Sequence, residues 1–381
     1  MTVNALFPAD APPKPGAIGT GILPSQMLRQ LAQIGDIRAA IEIEDGQFQP
    51  ASLDLRLGDH AYRVRASFLP GKASTVGQKL KELDATRIDL SEGAILEKGC
   101  VYIVPLMEHL ALKAEISGLC NPKSSTGRLN IFTRVITDHA VEFERIRRGY
   151  HGPLYAEISP CAFSIVVRAG SRLNQLRLRR GAPVATRAAL ERLIGEADIV
   201  DRALDPESLG RGSLPLTVDL AGDGETGLVG FRAKTHAGVI DVANVGGYAA
   251  DEFWERVHAN ARRTLILDPD DFYILASKET VSVPPDHAAE MVAFDSLVGE
   301  FRVHYAGFFD PGFGFAVDGN SRARAVLEVR SHDVPFIIED GQIVGRLVFE
   351  RMLAVPEKLY GQGIGSNYQR QGLALGKHFR P

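Results

Sequence analysis

The 381-residue sequence predicts a mainly β fold, built as two tandem copies of one module with a few short helices. Short alternating apolar segments bounded by Gly, Pro and Asp recur along the chain. Examples are Ser52-Leu53-Asp54-Leu55-Arg56-Leu57-Gly58 and Cys100-Val101-Tyr102-Ile103-Val104-Pro105. Many short strands with regular turn signals mark a sandwich or barrel. A constant offset of 171 then lays one half on the other. It carries Tyr102-Ile103 to Tyr273-Ile274, Glu108 to Glu279, Ser125 to Ser296, Glu157 to Glu328, Gly170 to Gly341 and Leu176 to Leu347. Ile165-Val166-Val167 lands on Phe336-Ile337-Ile338. Identity between the halves is low; the shared register of strands, turn glycine and glutamates carries the reading. Leu53-Asp54-Leu55 matches Val218-Asp219-Leu220 at a different offset, so the intervening loops differ in length.

In order along the chain, residues 1–25 are rich in Pro, Gly and Ala and read as an irregular arm. Residues 25–40 read as a short helix with Ser25 as N-cap. Residues 1–185 form the first module, and 186–214 a helical linker, with the helix at 186–204 and a Gly/Ser/Pro stretch after it. Residues 215–355 form the second module. Residues 356–381, Gly- and Gln-rich with few apolar anchors, read as a mobile tail.

Net charge is −4, which gives no global attraction to nucleic acid or an anionic membrane. No apolar run approaches the ~18 residues that span a bilayer, and no signal peptide is visible at the N-terminus. The three cysteines form no CxxC pair, which suits a reducing cytoplasmic setting. Zinc is not expected: His139-Ala140-Val141-Glu142 has the wrong spacing for an H-x-E deaminase site, and no P-C-x-x-C follows. No G-x-S-x-G elbow points to a serine hydrolase.

Three clusters could carry chemistry. Asn121-Pro122-Lys123-Ser124-Ser125-Thr126-Gly127-Arg128 gathers two cations, three hydroxyls and a glycine. Such a turn can cradle phosphate oxygens, although a solvated turn would read the same way. Glu157 follows the Gly149–Gly152 turn and sits between Ala156 and Ile158 on a strand. A carboxylate on a core strand is costly unless paired or functional, and burial would raise its pKa toward values useful for proton transfer. An edge-strand glutamate facing water is the alternative. In the second copy, Tyr305-Ala306-Gly307-Phe308-Phe309-Asp310-Pro311-Gly312-Phe313-Gly314 is a strong turn signal whose aspartate caps the turn or touches a ligand.

Together these residues resemble the dCTP deaminase branch of the dUTPase-like superfamily. That family orders an S-x-D-[LV]-R-L-G strand, an R-S-S-x-[GA]-R phosphate motif, an A-G-[FW]-I-D-P-G turn, a strand with a catalytic glutamate, a G-x-x-[IL]-[GA]-x-L hairpin and a Tyr/Gln/Gly-rich tail. The chain offers Ser52–Gly58, then Lys123–Arg128 with Lys where Arg is usual, then Glu157. Gly341-Gln342-Ile343-Val344-Gly345-Arg346-Leu347 matches the hairpin, and 360–372 the tail. The first copy lacks the A-G-F-x-D-P-G turn and has Thr137-Asp138-His139-Ala140 there, followed by the charged segment 142–148. The second copy has that turn and Glu328 but Phe294-Asp295-Ser296-Leu297-Val298-Gly299-Glu300 in place of the phosphate motif. The chain therefore looks like a fused pair of dUTPase-like modules that share the family's parts.

The resemblance implies zinc-free hydrolytic deamination of dCTP to dUTP and ammonia in pyrimidine deoxynucleotide synthesis. Glu157 would move the proton, Ser124 hold the water or amine, and Arg128 orient Glu157 or the phosphates. Lys123 and Ser125 would bind phosphate, with Mg2+ bound through the triphosphate. Thr137, Asp310 and Glu328 would border the substrate, and Tyr368 and Gln371 would close over it. Family sites lie between subunits, so a homo-oligomer is expected, with a trimer first and a monomer or dimer next. A dUTPase-type diphosphohydrolase, a bifunctional enzyme giving dUMP, and a non-catalytic nucleotide-binding regulator are the competing functions. One composite kind of site per chain is expected, centred on Glu157.

Overall fold

The structure, a computed structural model, describes residues 19–181, 185–202, 204–210, 212–292, 307–315, 322–331, 334–361 and 372–380, and the backbone of 302–303. It is mainly β with a few short helices, as expected.

The first half carries two six-stranded sheets. In one, Arg172–Arg180 lies between Ile116–Pro122 and Ser52–Arg56. In the other, Val101–Ala111 lies between His151–Pro160 and His60–Val64, and Ile131–Thr137 extends the far side of His151–Pro160. The second half repeats these neighbours. Ile343–Arg351 lies between His287–Val292 and Ser213–Thr217. Phe272–Val281 lies between Ala323–Arg330 and Leu228–Ala233. Strand starts at 101, 116, 165 and 172 recur at 272, 287, 336 and 343, each 171 residues on.

Two glutamates of the repeat explain why that register is held. Glu108 is fully buried and accepts hydrogen bonds from the Arg56 backbone N–H and Nε, both at 2.8 Å, and from Gln47. Glu279 accepts from the backbone N–H of Thr217 at 2.7 Å and from its hydroxyl at 2.6 Å. Each carboxylate ties a strand of one sheet to a strand of the other. A buried carboxylate with such donors is stable, whereas a lone one is not.

Three local expectations are corrected. The first helix, α1, spans Ser25–Gln33 only; Pro24 is its N-cap and the Ser25 side chain does not cap it. Gly35, at φ 80°, ends it in the left-handed conformation that glycine adopts cheaply, and Ile37–Ala39 then joins a sheet. The linker helix is Arg187–Ala197, capped by Thr186 and closed by left-handed Asp198, so it ends before 204. Of the tail expected to be mobile, residues 372–380 pack down, with Phe379 buried.

The halves also share a core. Around the first half's Leu53, Leu55, Leu176 and Phe163 gather Ile240, Phe253, Trp254, Phe272, Ile274 and Phe379 from the second. Each such fully buried side chain contributes about 1.5–3 kcal/mol. Ile240–Asp241 lies in parallel beside Ile165–Val167. No helix among the described residues is long and apolar enough to cross a membrane.

Candidate active site

The Lys123–Arg128 cluster forms a single helical turn, Ser124–Gly127, with Lys123 as its N-cap. Strand Ile116–Pro122 delivers it, and Arg172–Arg180 holds it. The Leu173 carbonyl accepts from the Lys123 N–H and the Thr126 hydroxyl, both at 2.9 Å. Thr126, Gly127 and Arg128 are buried, and Ser124 is exposed. The Lys123 ammonium pairs with Asp54, whose other carboxylate oxygen is buried without a hydrogen-bond partner.

A cavity of about 250 Å³ opens beside this turn. Lys123, Ser125, Arg172 and Lys377 bring it three cations and a hydroxyl, with Asp54 at its edge. Burial holds Lys377 below the usual lysine range, and neighbouring Lys123 adds to the effect. A polyanion arriving here would favour the charged form of Lys377. Lys377 sits four residues from position 381, outside the motifs read from sequence, and only the fold brings it here.

The carboxylate beside the turn is Glu328. A Cβ placed on Gly127 would stand 2.2 Å from Glu328 Oε2, so the acid rests on the glycine backbone. Its strand pairs with Phe272–Val281, Glu328 opposite Ile274. Val326 and Glu328 look toward the first half, while Leu327 and Val329 enter the second half's core. Burial pushes the Glu328 carboxyl well above the usual carboxylate range, and the Arg128 guanidinium offsets part of that. Arg128 Nη1 donates at 2.9 Å to the Ala374 carbonyl of the C-terminal segment.

Glu157 occupies the equivalent lattice point, opposite Ile103, in different surroundings. It is buried and paired with Arg134, whose Nε lies 3.1 Å from Oε1; Oε2 has no hydrogen-bond partner. The guanidinium of Arg134 stands over the rings of Phe143, at 3.4 Å, and Phe132, at 4.6 Å, and it donates to Ser67. The segment containing Ser67 continues into helix Val76–Glu82, whose Val76 and Leu80 pack on Ile103 and Ile136 of the same face. The first half therefore covers its own glutamate face, whereas the second half presents Glu328 to the motif turn.

Of the other expected residues, Thr137 is buried at the far end of its strand, opposite Leu154. Asp310 is buried and joins Arg177 of the first half at 3.1 Å. Burial raises its pKa, against the pull of Arg177. Tyr368 and Gln371 lie outside the described residues, as do 293–300, where the degraded phosphate motif was read. Among the described residues no group of three or more His, Cys, Asp or Glu is placed to hold a metal ion.

Residues 19–182 match the model of the 2′-deoxycytidine 5′-triphosphate deaminase N-terminal domain, and residues 186–379 that of its C-terminal domain. A crystal structure of 2′-deoxycytidine 5′-triphosphate deaminase from Agrobacterium tumefaciens is 55% identical, with a TM-score of 0.84, over 88% of this chain and 99% of that one. A dCTP deaminase of Natronomonas pharaonis is 27% identical over 188 residues, 48% of this chain and 88% of the relative. A dUMP-forming dCTP deaminase of Beutenbergia cavernae is 31% identical over 124 residues, 32% of this chain; the match spans only 60% of that relative's length. With its two halves matched in order by the family's two domain models, the chain belongs to the 2′-deoxycytidine 5′-triphosphate deaminase family.

Proposed function

We propose that this chain, as two fused dUTPase-like modules, hydrolyses the exocyclic amine of dCTP to give dUTP and ammonia without zinc. The observation that carries the reading is Glu328, a buried acid seated on the Gly127–Arg128 turn, its carboxyl pushed by burial well above the usual carboxylate range. A neutral carboxylic acid can protonate N3 of cytosine. As the carboxylate it then takes a proton from the water that attacks C4. Collapse of the tetrahedral carbon expels ammonia, with the proton returned to nitrogen, so one carboxyl serves as acid and base. Arg128 steadies the ionised form, because a cation favours the carboxylate. Ser124, exposed on the same turn, would hold the water or the departing amine. Lys123, Ser125, Arg172 and Lys377 take the triphosphate. Magnesium would enter with the phosphates and neutralise part of their charge; Asp54, with its unpartnered buried oxygen, lines the same cavity and suits a hard cation. The setting expected for this chemistry is cytoplasmic, in a homo-oligomer.

A second reading, further hydrolysis to dUMP, is favoured by the name of the Beutenbergia relative. Asp310 argues for the simpler product: its carboxyl is buried and tied to Arg177 at 3.1 Å, away from an attacking water.

Chromatography of dCTP incubated with Mg2+ tests both. Uracil triphosphate and ammonia are expected from the wild type. Glu328→Gln should lose on the order of 10²–10⁴ in turnover, the usual contribution of a positioned acid–base group. Glu157→Gln should stay within a few-fold of wild type. The reverse pattern would move the chemistry to Glu157. Pyrophosphate release would establish the dUMP-forming reaction. Absence of any uracil nucleotide, with dCTP still bound, would leave a nucleotide-binding regulator.

A further inference from the structure

The second half sends an arm across the first, and the C-terminal segment lies on that arm. Ile240–Asp241 docks beside Ile165–Val167, with backbone bonds from Ile240 to Ser164 at 3.0 Å and from Val242 to Val166 at 3.2 Å. Arg168 Nη1 holds Asp241 at 2.8 Å, and the Tyr248 hydroxyl accepts from the Asp241 N–H at 2.7 Å. Residues 377–380 then pair with the arm. Gly246 N–H donates to the Lys377 carbonyl at 2.9 Å, Tyr248 N–H to the His378 carbonyl at 3.1 Å, and Arg380 N–H to the Tyr248 carbonyl at 2.9 Å. Phe379 closes the contact. Its ring centroid lies 5.6 Å from that of Phe253, 5.9 Å from Trp254 and 6.4 Å from Tyr248, and the residue is 6% exposed.

From this geometry we infer that Phe379 is a positioning residue: its burial on the arm sets Lys377 over the phosphate cavity and sets the 374–375 backbone against Arg128. The Gly376–Phe379 turn, closed by the Phe379 N–H to the Gly376 carbonyl at 3.1 Å, sends the two side chains different ways. Phe379 points into the aromatic cluster, and Lys377, two residues earlier on the same strip, lines the cavity with Lys123 and Arg172. The Ala374 carbonyl meets Arg128. One buried ring thus fixes a phosphate cation and braces the guanidinium beside Glu328. Ordering Lys377 before the nucleotide arrives removes an entropic cost from binding, of the kind that immobilising a long side chain carries.

The inference rests on the cavity binding the nucleotide's phosphates, as proposed above. Its test uses full-length Phe379→Ala, Lys377→Ala and the double variant, with calorimetric binding of inorganic tripolyphosphate and steady-state kinetics on dCTP. Phe379→Ala should weaken tripolyphosphate binding and raise the KM for dCTP by about tenfold, equivalent to about 1.4 kcal/mol, and should also lower kcat, because Arg128 loses its brace. Lys377→Ala should weaken tripolyphosphate binding and raise the KM alike, and in tripolyphosphate binding the double variant should be no worse than the weaker single, because both remove one phosphate contact. Phe379→Leu should recover most of the loss. Additive losses, or unchanged tripolyphosphate binding in Phe379→Ala, would overturn the assignment. If Phe379→Ala does not fold, Tyr248→Phe decides: it loosens the arm alone, and an unshifted KM in that variant rejects the latch. Tripolyphosphate binding needs no deamination, so a chain that fails to turn over dCTP yet shows the non-additive cycle loses the proposed reaction and keeps the latch.

Discussion

Glu328 and Gly127 stand 201 positions apart in sequence and in contact in space. A glycine at 127 leaves room for the carboxylate, since an alanine methyl would need the 2.2 Å that Oε2 occupies. Gly127→Ala should therefore swing the acid off the turn while leaving the surrounding strands paired. We expect kcat to fall by about 10²-fold, in the range seen when an acid–base group is misplaced, with the thermal midpoint within a few degrees. A kcat equal to wild type in this variant would show that the acid does not work from that position. At this scale the sequence was legible for the motif turn, whose cations and hydroxyls are contiguous. It was legible for Glu328 only as one of two equivalent glutamates. What separates the two is their surroundings: Arg134 beside Glu157, Gly127 and Arg128 beside Glu328. Neither pairing leaves a local trace in sequence.

Among the strands, the pair Ile131–Thr137 and His151–Pro160 has a further acid close by, half-buried with one carboxylate oxygen shielded from solvent. Glu144, in the left-handed conformation at φ 65°, follows the first of these strands. Burial raises its carboxyl from 4.5 to about 8, against a backbone hydrogen bond at Val135 and the charge of Arg134. Between those values the folded chain holds a proton that the unfolded chain has released. Stability from this group is complete below pH 4.5 and declines as pH rises toward about 8. Glu144→Gln removes the dependence. Its stability relative to wild type should improve from pH 5 to pH 8, by at most about 1.4 kcal/mol per pH unit. Urea unfolding at both pH values measures this, and an equal difference at the two would contradict it. The strands themselves were well read, because alternation and turn glycines are local signals. Helix ends were not: Ser25 has the chemistry of a cap, but the single Pro24 carbonyl already accepts from both Met27 at 2.9 Å and Leu28 at 3.1 Å.

For the whole molecule, the 171-residue spacing of four strand starts was legible because strand and turn signals are local. The asymmetry of the two copies was legible in part. The missing turn of the first copy and the acidic residues of the second are visible in sequence; the helix covering the first copy's glutamate face is not, because Val76 and Leu80 read as ordinary amphipathic positions. Since that face is filled by its own chain and the other meets the motif turn, calorimetric titration with dCTP on Glu328→Gln should find one nucleotide per chain. Two per chain would show that Glu157 also borders a working pocket.

The parallel pairing of Ile240–Asp241 with Ile165–Val167 has a consequence for inheritance. An assembly of identical single modules repeats every substitution at every interface, so no module can lose a part alone. Here the halves are covalently joined and laced through each other, and each can drift by itself. The first can bury its acid under Arg134 and the second can give up its cations without every interface changing at once.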